Sequence, residues 1–164
     1  RLINNASLNI TNGWLKIATR FENGTGCTSV VRNGGSLVAS NLVNNGTLRL
    51  TGPAGLSVSG TFTNNGTLDL ISWTGSLPPG FVNNGTILDR SELELISPAL
   101  AGTNFNVTIY GHEGHAYRLQ YRDSLSSGDW QNAGSSIAGS NANIEFTHTG
   151  GGSETQRHYR VAVD

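Results

Sequence analysis

Asn44-Asn45-Gly46-Thr47-Leu48 returns as Asn64-Asn65-Gly66-Thr67-Leu68 and, with one substitution, as Asn83-Asn84-Gly85-Thr86-Ile87. The second asparagine advances by 20 and then 19 residues, and a degenerate copy, Asn4-Asn5-Ala6-Ser7-Leu8, lies two steps upstream of Asn45. Glu22-Asn23-Gly24-Thr25 stands near the intervening step. A unit of this length cannot bury its apolar face alone, so successive units must stack. Short alternating runs within each unit predict an all-β chain that opens with a short parallel β-helix of about five coils of ~20 residues. Right-handed winding is the usual sense for parallel crossovers.

Within Thr61 to Leu70, alternation turns Phe62, Leu68 and Leu70 inward and Thr67 and Asp69 outward. The Asn-Asn-Gly triplet is the corner, built from residues that tolerate positive φ. Stacking is expected to align Asn45, Asn65 and Asn84 in an amide ladder. It aligns Leu2, Leu42, Phe62 and Phe81 in one core column, and Leu8, Leu48, Leu68 and Ile87 in the next. Asp69 falls one coil from Arg49 in the same outward column, which predicts a stacked surface ion pair of about 0–1 kcal/mol. The Asn-x-Ser/Thr matches at Asn5, Asn23, Asn45, Asn65 and Asn84 follow from the corner spacing and are not read as glycosylation sites.

Leu93, Leu95 and Ile96 are expected to form a last solenoid strand, and Ser97 to Gly102 breaks the period. The β-helix is therefore assigned to residues 1–100 and a small antiparallel β-sandwich or sheet to residues 101–164. Asn104 to Tyr110 and Tyr117 to Tyr121 alternate cleanly about the turn at Gly111-His112-Glu113-Gly114. Gly114 to Tyr121, Leu125, Trp130, Phe146 and His158-Tyr159-Arg160-Val161 resemble the short β-module that closes many large secreted bacterial proteins. That resemblance makes Tyr117, Trp130 and Tyr159 core or interface residues.

The chemistry-bearing residues are sparse. Lys16 is the only lysine in 164 residues and the formal net charge is −1, so no nucleic-acid partner is expected. No apolar run reaches membrane-span length, and the chain begins at Arg1 without a leader pattern, as in a processed piece of something longer. Cys27 is the lone cysteine. His112-Glu113-x-His115 lacks the helical spacing of a zinc motif and reads as a solvated turn, and no other metal or cofactor set emerges. Residues 1–90 hold only Glu22, Asp69 and Asp89 as acids, too few for the general acid/base pair of a polysaccharide-cutting solenoid. The chain is read as non-catalytic.

Trp14 and Trp73 break the repeat where other coils carry small residues. Each either covers a core end or the domain junction, or offers an aromatic face to the C–H face of a sugar ring. On the second reading the two indoles stand roughly 14 Å apart along the axis. Lys16, Arg20 and Arg32 are then placed to meet acidic substituents. A short β-helix closed by a β-module, with Asn-Asn-Gly-Thr repeats and no catalytic set, resembles the parallel β-helix carbohydrate-binding modules attached to bacterial xylanases. The resemblance implies xylan or a related hemicellulose as ligand, a covalently linked glycoside hydrolase, and a secreted, extracellular bacterial location in plant cell-wall degradation. The alternative is a structural or adhesive β-solenoid fragment of a large bacterial surface protein.

Overall fold

The computed structural model describes residues 1–163. They fall into two compact units, which divide between Arg90 and Ser91. The first contains β1 (Leu2–Asn4), β2 (Ser7–Thr11), β3 (Trp14–Asn23), β4 (Thr28–Arg32), β5 (Ser36–Asn44), β6 (Thr47–Leu50), β7 (Gly55–Val58), β8 (Phe62–Asn64), β9 (Thr67–Asp69), β10 (Phe81–Asn83) and β11 (Thr86–Leu88). β1, β3, β5, β8 and β10 stack as one parallel sheet, with β7 also on β5, and β2, β4, β6, β9 and β11 as another. This is a β-solenoid of about four turns, one fewer than the repeat count suggests: the five strands stacked in line in each sheet are separated by four steps.

Register confirms the core columns and fills their gaps. Leu2, Phe21, Leu42, Phe62 and Phe81 pair in succession, as do Leu8, Ser29, Leu48, Leu68 and Ile87. Phe21, Leu42, Phe62, Leu48 and Leu68 are fully buried. Ser29 is the one polar member, and its hydroxyl donates to Asn23 Oδ1 at 2.9 Å.

The corner differs from expectation in three ways. First, the buried ladder runs through the other asparagine: Asn4, Asn23, Asn44, Asn64 and Asn83 are linked Nδ2 to Oδ1 at 2.7–2.9 Å. Asn45, Asn65 and Asn84 form only an outer, exposed ladder. The alternation already contains the reason, since an inward Phe62 puts Asn64 inward two residues later. Second, no residue of the three Asn-Asn-Gly corners has positive φ. A Cβ at Gly46, Gly66 or Gly85 would instead land on a carbonyl of the coil before it, on Cys27 or Gly24 O, Gly46 O and Gly66 O respectively. Third, Asn23 is the counterpart of Asn44 and Thr28 that of Thr47, so the second coil carries two extra residues at this corner, with Gly26 at φ +72.

Positive φ sits at the opposite bend, at Asn12, Asn33 and Gly34, and Gly52. Asp69 also departs from expectation. It pairs with Arg49 (Nε to Oδ2 2.7 Å) but is 1% exposed, because its Oδ1 accepts the Ile71 N–H as the chain turns over it. Removing Arg49 would strand a buried carboxylate, so the small energy of a surface pair does not apply.

The second unit holds β12 (Ile96–Ala101), β13 (Asn104–Gly111), β14 (Ala116–Arg122), β15 (Gln131–Asn132), β16 (Ile137–Ala138), β17 (Ala142–His148) and β18 (His158–Val163). β12, β13 and β17 form one antiparallel sheet, and β14 pairs with β15, β16 and β18 in another. Val107, Ile109, Ile144 and Phe146 of the first pack on Tyr117 and Leu119 of the second. The expected boundary at residue 100 therefore moves back. Leu93 and Leu95 pack on this second core and Ile96–Ala101 is its edge strand, antiparallel to β13, so none of them extends the solenoid.

Candidate functional site

The first coil positions Trp14 at the start of β3. Its strand neighbour across β5 is Ser36, and Ser36 in turn pairs with Gly55, so the indole stands in a column of small residues. Leu15 and Ile17 face the core, which turns Trp14 and Lys16 to the outer face of the same strand. Trp14 is 73% exposed. Beside it lies a groove of about 270 Å³ lined by Leu8, Asn9, Ile10, Thr11, Gly13 and Leu15. Apolar carbon and amide or hydroxyl groups thus meet at one indole.

Trp73 has the opposite fate. It bridges Gly52, three residues before the Gly55 that continues the Trp14 and Ser36 column, so the two tryptophans do not share a column. The ring is 8% exposed, Gly75 lies flat against it, and Nε1–H donates to Ala54 O at 2.8 Å. A buried indole needs a partner for its one donor, and a turn carbonyl supplies it. Trp73 is thus a core residue and not an outward platform, which removes the expected pair of indoles along the axis. Its remaining edge, with Leu70, Leu77, Asp89 and Arg90, lines a cleft of about 460 Å³. Asp89 and Arg90 have no repeat signal that could have marked them.

The three basic candidates separate. Lys16 shares the Trp14 face. Arg20 lies beyond a register shift in β3 and is engaged with Glu22 at 3.0 Å, which also binds Arg1. The Arg1 hydrogen bond, aided by the charges of Arg1 and Arg20, holds the Glu22 carboxyl below its ordinary 4.5 against a smaller effect of desolvation. Arg32 ends β4 in the other sheet, opposite Thr11.

In the second unit the three side chains of His112-Glu113-x-His115 diverge. His112 lies 3.8 Å from Glu92, Glu113 contacts Asn141, and His115 is buried next to Tyr117. Among the described residues no group of three or more His, Cys, Asp or Glu side chains converges. A denser cluster surrounds His148, whose Nδ1 is 3.1 Å from Tyr159 Oη and whose ring is 4.4 Å from that of Tyr121. Arg157 stacks over Tyr121 and pairs with Asp123 at 2.7 Å. Burial, then the Arg157 charge, lowers the His148 pKa from 6.5, with Asp123 opposing.

Comparison with protein-family models, with curated proteins and with solved structures gave no match. Among the described residues no helix is long and apolar enough to cross a membrane.

Proposed function

We propose that the chain is a non-catalytic carbohydrate-binding module that holds a secreted glycoside hydrolase on plant polysaccharide, xylan or a related hemicellulose. One observation carries the reading: Trp14 leaves almost three quarters of its surface in water on a regular strand whose column is otherwise small. An aromatic face of that kind meets the apolar face of a pyranose, and Asn9 and Thr11 in the adjoining groove supply groups that orient hydroxyls. Lys16 on the same face meets an acidic substituent. Holding the enzyme on the polymer raises the local concentration of its substrate.

Affinity electrophoresis in xylan, β-glucan, mannan and pectin tests this. Retention by xylan that Trp14→Ala reduces by about tenfold or more, with unfolding unchanged, is the expected result. Migration unaltered by every polymer sinks it.

A second reading, a structural or adhesive solenoid, draws on the edge of the stack. Among the described residues β2 pairs only with β4, and residues 14–20 of β3 pair only with β5, so a row of backbone groups stands open beside Leu2 and Ile3. Concentration-dependent self-association, abolished by Asn9→Pro, together with no polysaccharide retention, would favour it.

A further inference from the structure

Trp130 lies outside the repeat and immediately before β15. The guanidinium carbons of Arg122 and Arg160 are 4.6 Å and 4.4 Å from its ring centroid. Strand register brings them there. Tyr117 and Leu119 face the core of the second unit, so Gln120 and Arg122 of β14 face outward, and Arg160 of β18 is the direct partner of Gln120. Gln120 Oε1 accepts from Arg160 Nε at 2.9 Å, and its Nε2 donates to Asn132 Oδ1 at 2.9 Å. The chain Arg160–Gln120–Asn132 thus holds one guanidinium in place while the indole holds both.

Packing alone leaves this arrangement incomplete. Residues 91–164 carry four basic and eight acidic side chains, yet neither Arg122 nor Arg160 has an acidic partner among the described residues. Arg157, a few residues away in sequence, has Asp123. Arg122 Nε is buried with no hydrogen-bond partner. A buried donor left unmet is costly, and so are two cations gathered on one ring. Stacking occupies the flat faces of a guanidinium and leaves its in-plane fork of donors open, the geometry that matches a carboxylate.

We propose that the Arg122–Trp130–Arg160 face binds a carboxylate-bearing saccharide, a uronate unit of an acidic polysaccharide. The carboxylate takes the guanidinium forks. The Asn132 amide meets ring hydroxyls, and the free edge of Trp130 meets the C–H surface of the sugar. A nucleic acid is disfavoured because its phosphates form a dense run of charge, which a unit with eight acids and four bases repels. A uronate chain is sparser and is met locally. The site lies in the second unit and stands independently of the Trp14 reading.

Calorimetry of the full chain against an oligogalacturonate, its carboxyl-reduced neutral counterpart and a single-stranded oligonucleotide tests the proposal. The oligogalacturonate should bind, with affinity falling as salt is added, and the reduced oligomer should bind at least about tenfold more weakly. Arg160→Gln, at an exposed position, should cost about tenfold or more and Arg160→Lys nearly as much, because it keeps the charge but loses the fork. Asn65→Ala, in the exposed outer ladder of the first unit and in neither proposed site, should leave this affinity unchanged. Equal binding of the reduced oligomer, tighter binding of the oligonucleotide, no heat with oligogalacturonate at low ionic strength, or full affinity in a folded Arg160→Gln protein would each overturn it.

Discussion

Asn44 and Asn65 are the same residue type one coil apart, and their side chains face opposite sides of the chain. Asn44 is fully buried; its Nδ2 donates to Asn64 Oδ1 at 2.7 Å and Thr67 O at 2.9 Å, and its Oδ1 accepts from Asn23. Asn65 bonds its neighbours in the open. Truncating the buried one leaves several dry groups unmet, whereas water replaces the exposed partner. Asn44→Ala should therefore lower unfolding free energy by about 2–3 kcal/mol in urea titration, and Asn65→Ala by less than about 1 kcal/mol. The repeat shows both asparagines equally, and only the alternation running from Phe62 separates them. His148 had no such signal, because its neighbours Tyr121, Arg157 and Tyr159 come from distant segments. Its folded pKa lies below the ordinary 6.5, so the unfolded chain binds the proton more readily. The resulting stability is present above 6.5 and lost as pH falls through the folded value. His148→Gln should flatten that part of the stability profile in melts followed across this range.

At the scale of the strand and corner, the repeat dictated stacking but concealed why its glycine is required. The expectation was conformational, and the structure makes it a matter of distance between coils. A Cβ at Gly66 would meet the Gly46 carbonyl, a backbone atom that cannot step aside without breaking the parallel register of Thr47 on Thr67. Gly13 has nothing nearer than Thr11 O at 3.8 Å and no positive φ. Gly66→Ala should thus destabilise the solenoid by roughly 1–3 kcal/mol, as overpacking does, while Gly13→Ala stays within about 0.5 kcal/mol of the parent. Equal effects in chemical denaturation would return the glycine to a conformational role. Trp73 was misplaced for a related reason. The repeat fixes register only near Asn-Asn-Gly, and the opposite bend varies in length from coil to coil, so counting residues from one corner cannot tell which column Trp73 enters. Trp14 sits early in a strand paired residue by residue with β5 as far as Ile17, and its outward face was legible.

For the whole molecule, the change from parallel to antiparallel pairing was legible but its position was not. Leu93, Leu95 and Ile96 alternate like a solenoid strand, and nothing local distinguishes a strand that continues a stack from one that opens a new sheet. The partner decides: Ala99, Leu100 and Ala101 pair with Asn106, Phe105 and Asn104, beyond a register irregularity after Ile96. β12 then shields one edge of β13, whose other edge is taken by β17 along seven residue pairs. Leu93 and Leu95 add apolar cover to the core around Val107, Ile109 and Tyr117. A fragment beginning at Ser91 retains all of these contacts, whereas one beginning at Gly102 exposes the β13 edge and loses both leucines. The longer fragment should unfold cooperatively by circular dichroism. The shorter one should be less stable by at least about 2 kcal/mol, the effect of uncovering two leucines, and more prone to associate through the open edge. Equal melting of the two fragments would mean that residues 91–101 contribute nothing to this unit and that the division belongs eleven residues later.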